Sequence, residues 1–187
     1  MTFTDLILIA FGVSFSVFAI VLMSSVERCL TLFDILKISF FFGFFQGLMM
    51  FLGWLLCSSF SHLLMGYTSW IIFAFFIVIG LKMIFKSLKV KPEERTFNLR
   101  NIKILTGLSF ASGINSFIIG LTLALTDVSI LSAVVVVVLV TFFISIAGIY
   151  IGKKTGKYSI GNKIEFLGGI IFIALGMKIL LHHFGVI

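Results

Sequence analysis

The sequence predicts an all-α polytopic membrane protein of six transmembrane helices, arranged as two inverted three-helix repeats. Three observations carry that prediction. Asp, Glu, Lys and Arg are absent from Leu6 to Val26, Ile38 to Leu81, Ile104 to Thr126 and Val128 to Gly152. The basic residues gather in alternate connections between these runs, and the two halves of the chain resemble each other. Of the 187 residues 60% are hydrophobic and 11% charged, whereas a soluble domain carries about 25% charged residues. That excludes an ordinary soluble enzyme or nucleic-acid-binding domain.

A helix crossing a bilayer needs about 20 apolar residues. The run from Ile38 to Leu81 is long enough for two spans, with Ser58-Ser59-Phe60-Ser61-His62 as the turn between them. The spans are then Leu6–Ser25, Ile38–Cys57, Tyr67–Leu88, Lys103–Thr126, Val128–Gly152 and Lys163–Phe184. The first does not read as a signal peptide, because Asp5 and no basic residue precedes it and no small-residue cleavage site follows. Cys29 and Cys57 have no metal or redox spacing and fall near the ends of different spans. They read as small apolar residues.

The formal charge of +7 is a topology signal. Arg28 and Lys37 lie between spans 1 and 2. Lys82, Lys86, Lys89, Lys91, Arg95, Arg100 and Lys103 lie between or beside spans 3 and 4, and Lys153, Lys154, Lys157 and Lys163 between spans 5 and 6. All but Lys178 of the 14 basic residues therefore fall on one side. By the positive-inside rule that side is cytoplasmic and both termini lie outside. The expected location is a bacterial inner membrane, with multiple passes.

The only proline, Pro92, marks the longest polar connection. It divides the chain into a first repeat over residues 1–88, a basic cytoplasmic connection over 89–102 and a second repeat over 103–187. "IVIGLKMI" in span 3 aligns with "IALGMKIL" in span 6, so that Gly80 meets Gly176 and Lys82 meets Lys178. Gly53 aligns with Gly148, Gln46 with Thr141 and Ser16 with Asn115. Because each half has three spans, the second enters the membrane in the opposite sense. Secondary transporters are commonly built this way, with the substrate site at mid-membrane along the repeat interface.

Depth selects the candidate residues. Ser16, Gln46, Asn115 and Thr141 lie near the middle of their uncharged runs, one in each of the spans that the repeat relates. Ser14, Ser112 and Ser116 lie beside them and Lys178 lies further out; these eight form the expected substrate path. Ser, Thr, Asn and Gln also act as interhelical glue, worth about 0.6 kcal/mol per bond. Gly43-x-x-x-Gly47, Ser112-x-x-x-Ser116-x-x-x-Gly120 and Gly148-x-x-x-Gly152 predict close helix approaches. Lys82 is near enough to the cytoplasmic end of span 3 to snorkel there. No carboxylate is evident near Lys178, which is read either as functional or as reaching the outer headgroups. Glu165 is placed to face the N-terminus of span 6. His62, His182 and His183 lie towards the outer surface, the last two on different helix faces.

The chain resembles the MntP-type manganese exporters, and more distantly the LysE group of small exporters. The resemblance runs end to end, through "FGVSFSVFAI", "FFGFFQGLMMFLGWLL", "WIIFAFFIVIGLKMI", "ASGINSFIIGL", "TFFISIAGIYIGKKTGK" and "GNKIEFLGGIIFIALGMKIL". It implies a six-helix exporter of Mn²⁺, with Ser16, Gln46 and Asn115 at the metal positions. The chain departs from the family pattern there. Ser16 and Asn115 stand where that pattern has aspartate, and Gln46 where an acidic residue is common. Mn²⁺ prefers carboxylate, carbonyl and water oxygens, and the attraction lost with each carboxylate is on the order of several kcal/mol.

The reading is therefore a divergent manganese(II) efflux transporter that is not an enzyme. The alternatives are an exporter of another small solute through a neutral polar path, and a non-transporting scaffold. No cofactor is expected, and manganese enters as transported substrate. Expected partners are membrane lipid, a small cation or other solute and, as an open option, a second copy of the chain in a homodimer; nucleic acid is not among them. No H-E-x-x-H or G-x-S-x-G motif supports an intramembrane enzyme.

Overall fold

The computed structural model describes residues 3–26, 30–59, 68–89, 97–126, 128–155 and 159–183. It is all-helical over these residues, with six helices long and apolar enough to cross a membrane. They are α1 (Phe3–Ser25), α2 (Leu32–Ser58), α3 (Thr68–Lys89), α4 (Ile102–Leu123), α5 (Ile130–Thr155) and α6 (Ser159–His183). In lipid a backbone amide finds no water, so a spanning segment of this kind must satisfy its hydrogen bonds internally as helix. Pro92, His62, Cys29 and Asp127 lie outside the described residues, as does most of the expected 58–62 turn.

Helix starts are set by caps more than by hydropathy. Thr31 and Asp34 form a capping box, so α2 begins at Leu32, ahead of the expected Ile38. Arg100 closes on the same carboxylate, with Nε and Nη2 at 2.9 and 2.8 Å from Asp34 Oδ2. Asn101 caps α4 by accepting from the Lys103 N–H at 3.1 Å. Lys153 Nζ donates to the Leu30 carbonyl at 2.6 Å, the Phe97 N–H to Ser24 Oγ at 3.2 Å, and Ser87 Oγ to the Asn162 carbonyl at 2.7 Å. These bonds join ends of all six helices on a single face. That face is the basic one of the sequence analysis, and the helices therefore run alternately up and down.

Around the bundle the order is α3, α6, α1, α5, α2, α4. The main pairings are α2 with α4, α1 with α5 and α3 with α6, followed by α2 with α5 and α1 with α6. Helix α1 is the most enclosed, buried along nearly its whole length from Ile9 to Met23. Lipid tails are as apolar as leucine, so the helices associate by close packing at small residues. Gly53 faces the Phe117 carbonyl and Gly120 the Met50 carbonyl where α2 crosses α4. Gly148 and Gly152 face the Phe18 and Leu22 carbonyls where α5 crosses α1. The three small-residue patterns are thus at helix crossings, as their spacing suggested.

The contacts repeat in the registers that align the two halves. Phe76 and Phe172 are equivalent when Gly80 meets Gly176, and their rings pack on each other at 5.9 Å. Gly53 faces Phe117, while its equivalent Gly148 faces Phe18, the residue in register with Phe117. This pattern is consistent with two inverted three-helix halves. One pair of equivalent interfaces is unequal: α1 lies along α6, held close by Gly12, Gly161 and Gly168, whereas α3 and α4 touch only briefly. On α4, a Cβ at Gly107 would meet nothing within 4 Å.

Candidate functional site

Polar side chains that the sequence put at mid-depth are paired across helices inside the bundle. Asn115 of α4 and Ser16 of α1 are 5% and 1% exposed, and Asn115 Nδ2 donates to Ser16 Oγ at 3.2 Å. Two residues 99 positions apart, one from each half, thereby meet at the centre. Gln46 of α2 accepts from the Ser116 hydroxyl of α4 through Oε1, and both side chains are fully buried. Its Nε2 has no partner among the described residues. Ser14 of α1 gives its hydrogen to the Ala10 carbonyl at 2.7 Å, so the 2.8 Å contact with Thr141 of α5 has the threonine hydroxyl as donor. One turn towards the basic face, Ser39 of α2 bonds Ser145 of α5 at 3.2 Å.

Six of the eight expected path residues therefore form three cross-helix pairs. Ser112 is buried nearby, but its hydroxyl is turned back to the Ser109 carbonyl of its own helix at 3.0 Å. Lys178 is not brought to this group. It forms an ion pair with Asp5 on α1, correcting the expectation that no carboxylate lies near it. The two residues are 173 positions apart in sequence, and only packing of α1 on α6 unites them.

Lys82 is the residue that the sequence analysis assigned elsewhere. Its side chain does not run to the cytoplasmic headgroups: Nζ donates to Asn115 Oδ1 at 3.1 Å. A continuous chain Lys82–Asn115–Ser16 thus joins α3, α4 and α1 and puts an ammonium against the central amide. The signal was present in the sequence as a lysine within an apolar span, but reach alone does not say which way a four-carbon stem turns.

Glu165 also differs from expectation. Helix α6 starts at Ser159, so Glu165 lies beyond the first turn and does not cap. It is fully buried and bound by Lys86 Nζ at 2.9 Å. Removing one partner of such a pair strands a buried charge. Lys86→Met is expected to cost about 3 kcal/mol. Lys178→Met is expected to cost somewhat less, because the Asp5 side chain it leaves behind, at 8% exposure against 0% for Glu165, keeps some access to water. Thermal unfolding in detergent should show this order; equal effects would contradict it.

No three His, Cys, Asp or Glu side chains come together among the described residues. The central donors and acceptors are two amides, hydroxyls and one ammonium. His62 lies outside the described residues, as do the side chains of His182 and His183.

Comparison with known proteins decides the family. The family model described as "Putative manganese efflux pump" matches residues 29–180. The protein named "Putative manganese efflux pump MntP" from Methanothermobacter thermautotrophicus is 37% identical over 188 residues, covering 98% of each chain. The chain belongs to the MntP family. The protein of the same name from Methanobrevibacter smithii is 37% identical over 180 residues, covering 96% of this chain and 97% of its own. That from Bacteroides thetaiotaomicron is 34% identical over 189 residues, covering 98% of both. No solved structure matches the chain. The MntP membership recognised from the span motifs is thus shown over nearly the full length. The neutral centre belongs to a chain that is similar to these relatives over nearly its full length.

Proposed function

We propose that this MntP-family chain is a manganese(II) efflux transporter of the bacterial inner membrane, acting as a transporter and not as an enzyme. Both termini lie outside the cytoplasm in this reading. The two units are residues 1–88 and 103–187, joined by the cytoplasmic connection 89–102. The substrate path runs past Ser14, Ser16, Gln46, Asn115, Ser116 and Thr141, with Ser112 beside it. The observation that carries the reading is the Ser16–Asn115 contact, which joins the two halves at the depth where repeat-built transporters hold their substrate.

In this reading the cytoplasmic gap between α3 and α4 is the loading side, and the close α1–α6 seam is its shut counterpart. Export exchanges the two by rocking one half against the other. Mn²⁺ passes Ser16 Oγ, Asn115 Oδ1 and Gln46 Oε1 while keeping much of its water shell, because neutral oxygens offset its charge only by dipoles. Transient, weak binding is the consequence, and it suits export from a cytoplasm overloaded with the ion.

Expression in a host lacking its own manganese exporter should lower whole-cell manganese and restore growth in excess manganese. Unchanged metal content, with the protein present in the membrane, would sink the proposal. A second reading is favoured by the ammonium on Asn115: the path carries a less charged solute. The double variant Ser16→Asp, Asn115→Asp separates the two. Manganese export found only in the double variant would assign the native chain to another solute.

A further inference from the structure

The two lysines in register, Lys82 on α3 and Lys178 on α6, have opposite surroundings. Lys178 pairs with Asp5 on α1. In the register that aligns Ser16 with Asn115, the α4 residue equivalent to Asp5 is Ile104. Lys82 therefore meets no carboxylate on its neighbouring helix, and its ammonium goes inward to Asn115 Oδ1. The formal charges acting on it are Lys86, one turn along α3, and Glu165 of α6. Glu165 is already bound by Lys86. Lys82 is exposed along its flank, as are Gly107, Ala111 and Ile114 of α4, and α3 and α4 touch only briefly.

We propose that Lys82 is the specificity-determining residue of the central site, a tethered cation seated on the oxygen that a transported cation would need. The inference rests on the reading of Ser16 and Asn115 as the substrate path. Asn115 has a single side-chain oxygen, and its nitrogen is committed to Ser16. A dication approaching Oδ1 meets an ammonium there, and Glu165, the carboxylate that acts on that ammonium, is already bound by Lys86. Ammonium and dication cannot share one amide oxygen at close range in a medium of low dielectric. Each transport cycle must first displace the protein's own positive charge. Weakly bound and singly charged or neutral solutes are disfavoured less, so Lys82 grades substrates by charge. Lys178 performs no such task, because Asp5 already neutralises it.

The test uses the full chain, purified and reconstituted in liposomes, with Mn²⁺ alone as the probe. Binding is read by calorimetry in detergent and transport by quenching of an enclosed metal indicator. Lys82→Met is expected to tighten the apparent Kd at least tenfold, equivalent to about 1.4 kcal/mol. Lys82→Arg, which keeps the charge, should stay within about threefold of the parent. Should Lys82→Met misfold, Lys82→Gln is judged by the same criterion. Unchanged or weaker binding in the neutral variant, with a parent that transports Mn²⁺, overturns the role of Lys82 and leaves the efflux reading intact. Folded parent and neutral variant that neither bind nor move Mn²⁺ overturn the efflux reading and this inference with it.

Discussion

Replacing Asn115 with leucine is expected to reduce manganese efflux by roughly a hundredfold, with the protein still inserted. The amide bonds both Lys82 and Ser16, so one substitution removes two cross-helix hydrogen bonds. A bond to a charged partner contributes about 1.5–3 kcal/mol and a neutral one about 1. Those two bonds bear on stability; efflux falls because leucine also removes Oδ1, the amide oxygen that Mn²⁺ passes in the proposed path, and a hundredfold loss is equivalent to about 2.8 kcal/mol. Leucine has the same branching and the same number of side-chain heavy atoms as asparagine, so α4 is expected to keep its place in the bundle. Efflux from loaded cells, set beside melting temperature in detergent, reads the two effects separately. Near-normal efflux from the leucine variant would mean that Asn115 is packing glue and that the route for the ion does not pass it.

The largest effect on stability is expected at Gly120. A Cβ there would overlap the Met50 carbonyl oxygen and lie 2.9 Å from the Trp54 backbone nitrogen. Both obstacles are backbone, so neither can turn aside, and α2 and α4 must move apart along their most extensive contact. Overpacking of this kind costs about 1–3 kcal/mol in soluble cores, occasionally more. Gly120→Ala should lie at or above the upper end, and Gly53→Ala, against the Phe117 carbonyl, beside it. Gly107→Ala is the internal control. It lies in the same helix with open space around it, and alanine there should stabilise by up to about 1 kcal/mol through helix propensity. Unfolding midpoints of the three variants in one detergent check the order. Comparable loss at Gly107 and Gly120 would contradict the crossing geometry.

Legibility in the sequence followed the range of the interaction. Span number and helical class are local properties of uncharged runs, and they were read directly. The close approaches at Gly53, Gly120, Gly148 and Gly152 were half legible: spacing marked the small residues, while their partners lay on distant segments. The capping box at Thr31 and Asp34 was overlooked because hydropathy alone was used to start span 2 at Ile38. Glu165 was assigned to a helix end, and Lys178 was left between a functional role and the outer headgroups. Their actual partners, Lys86 and Asp5, are 79 and 173 positions away, and no local rule connects them.

What the sequence by itself determined is a six-helix membrane protein, MntP-like along its length, with neutral polar residues at mid-depth. These follow from hydropathy, from the siting of basic residues and from motif resemblance, each a property of short segments. Only the tertiary structure decided that Ser16 touches Asn115 and that Lys82 turns inward to them. A lysine stem can reach in either direction along its helix, and the choice is made by which neighbour supplies an oxygen. Asp5 supplies it for Lys178. For Lys82, with Ile104 in the corresponding place, the nearest acceptor is the amide at the centre of the bundle.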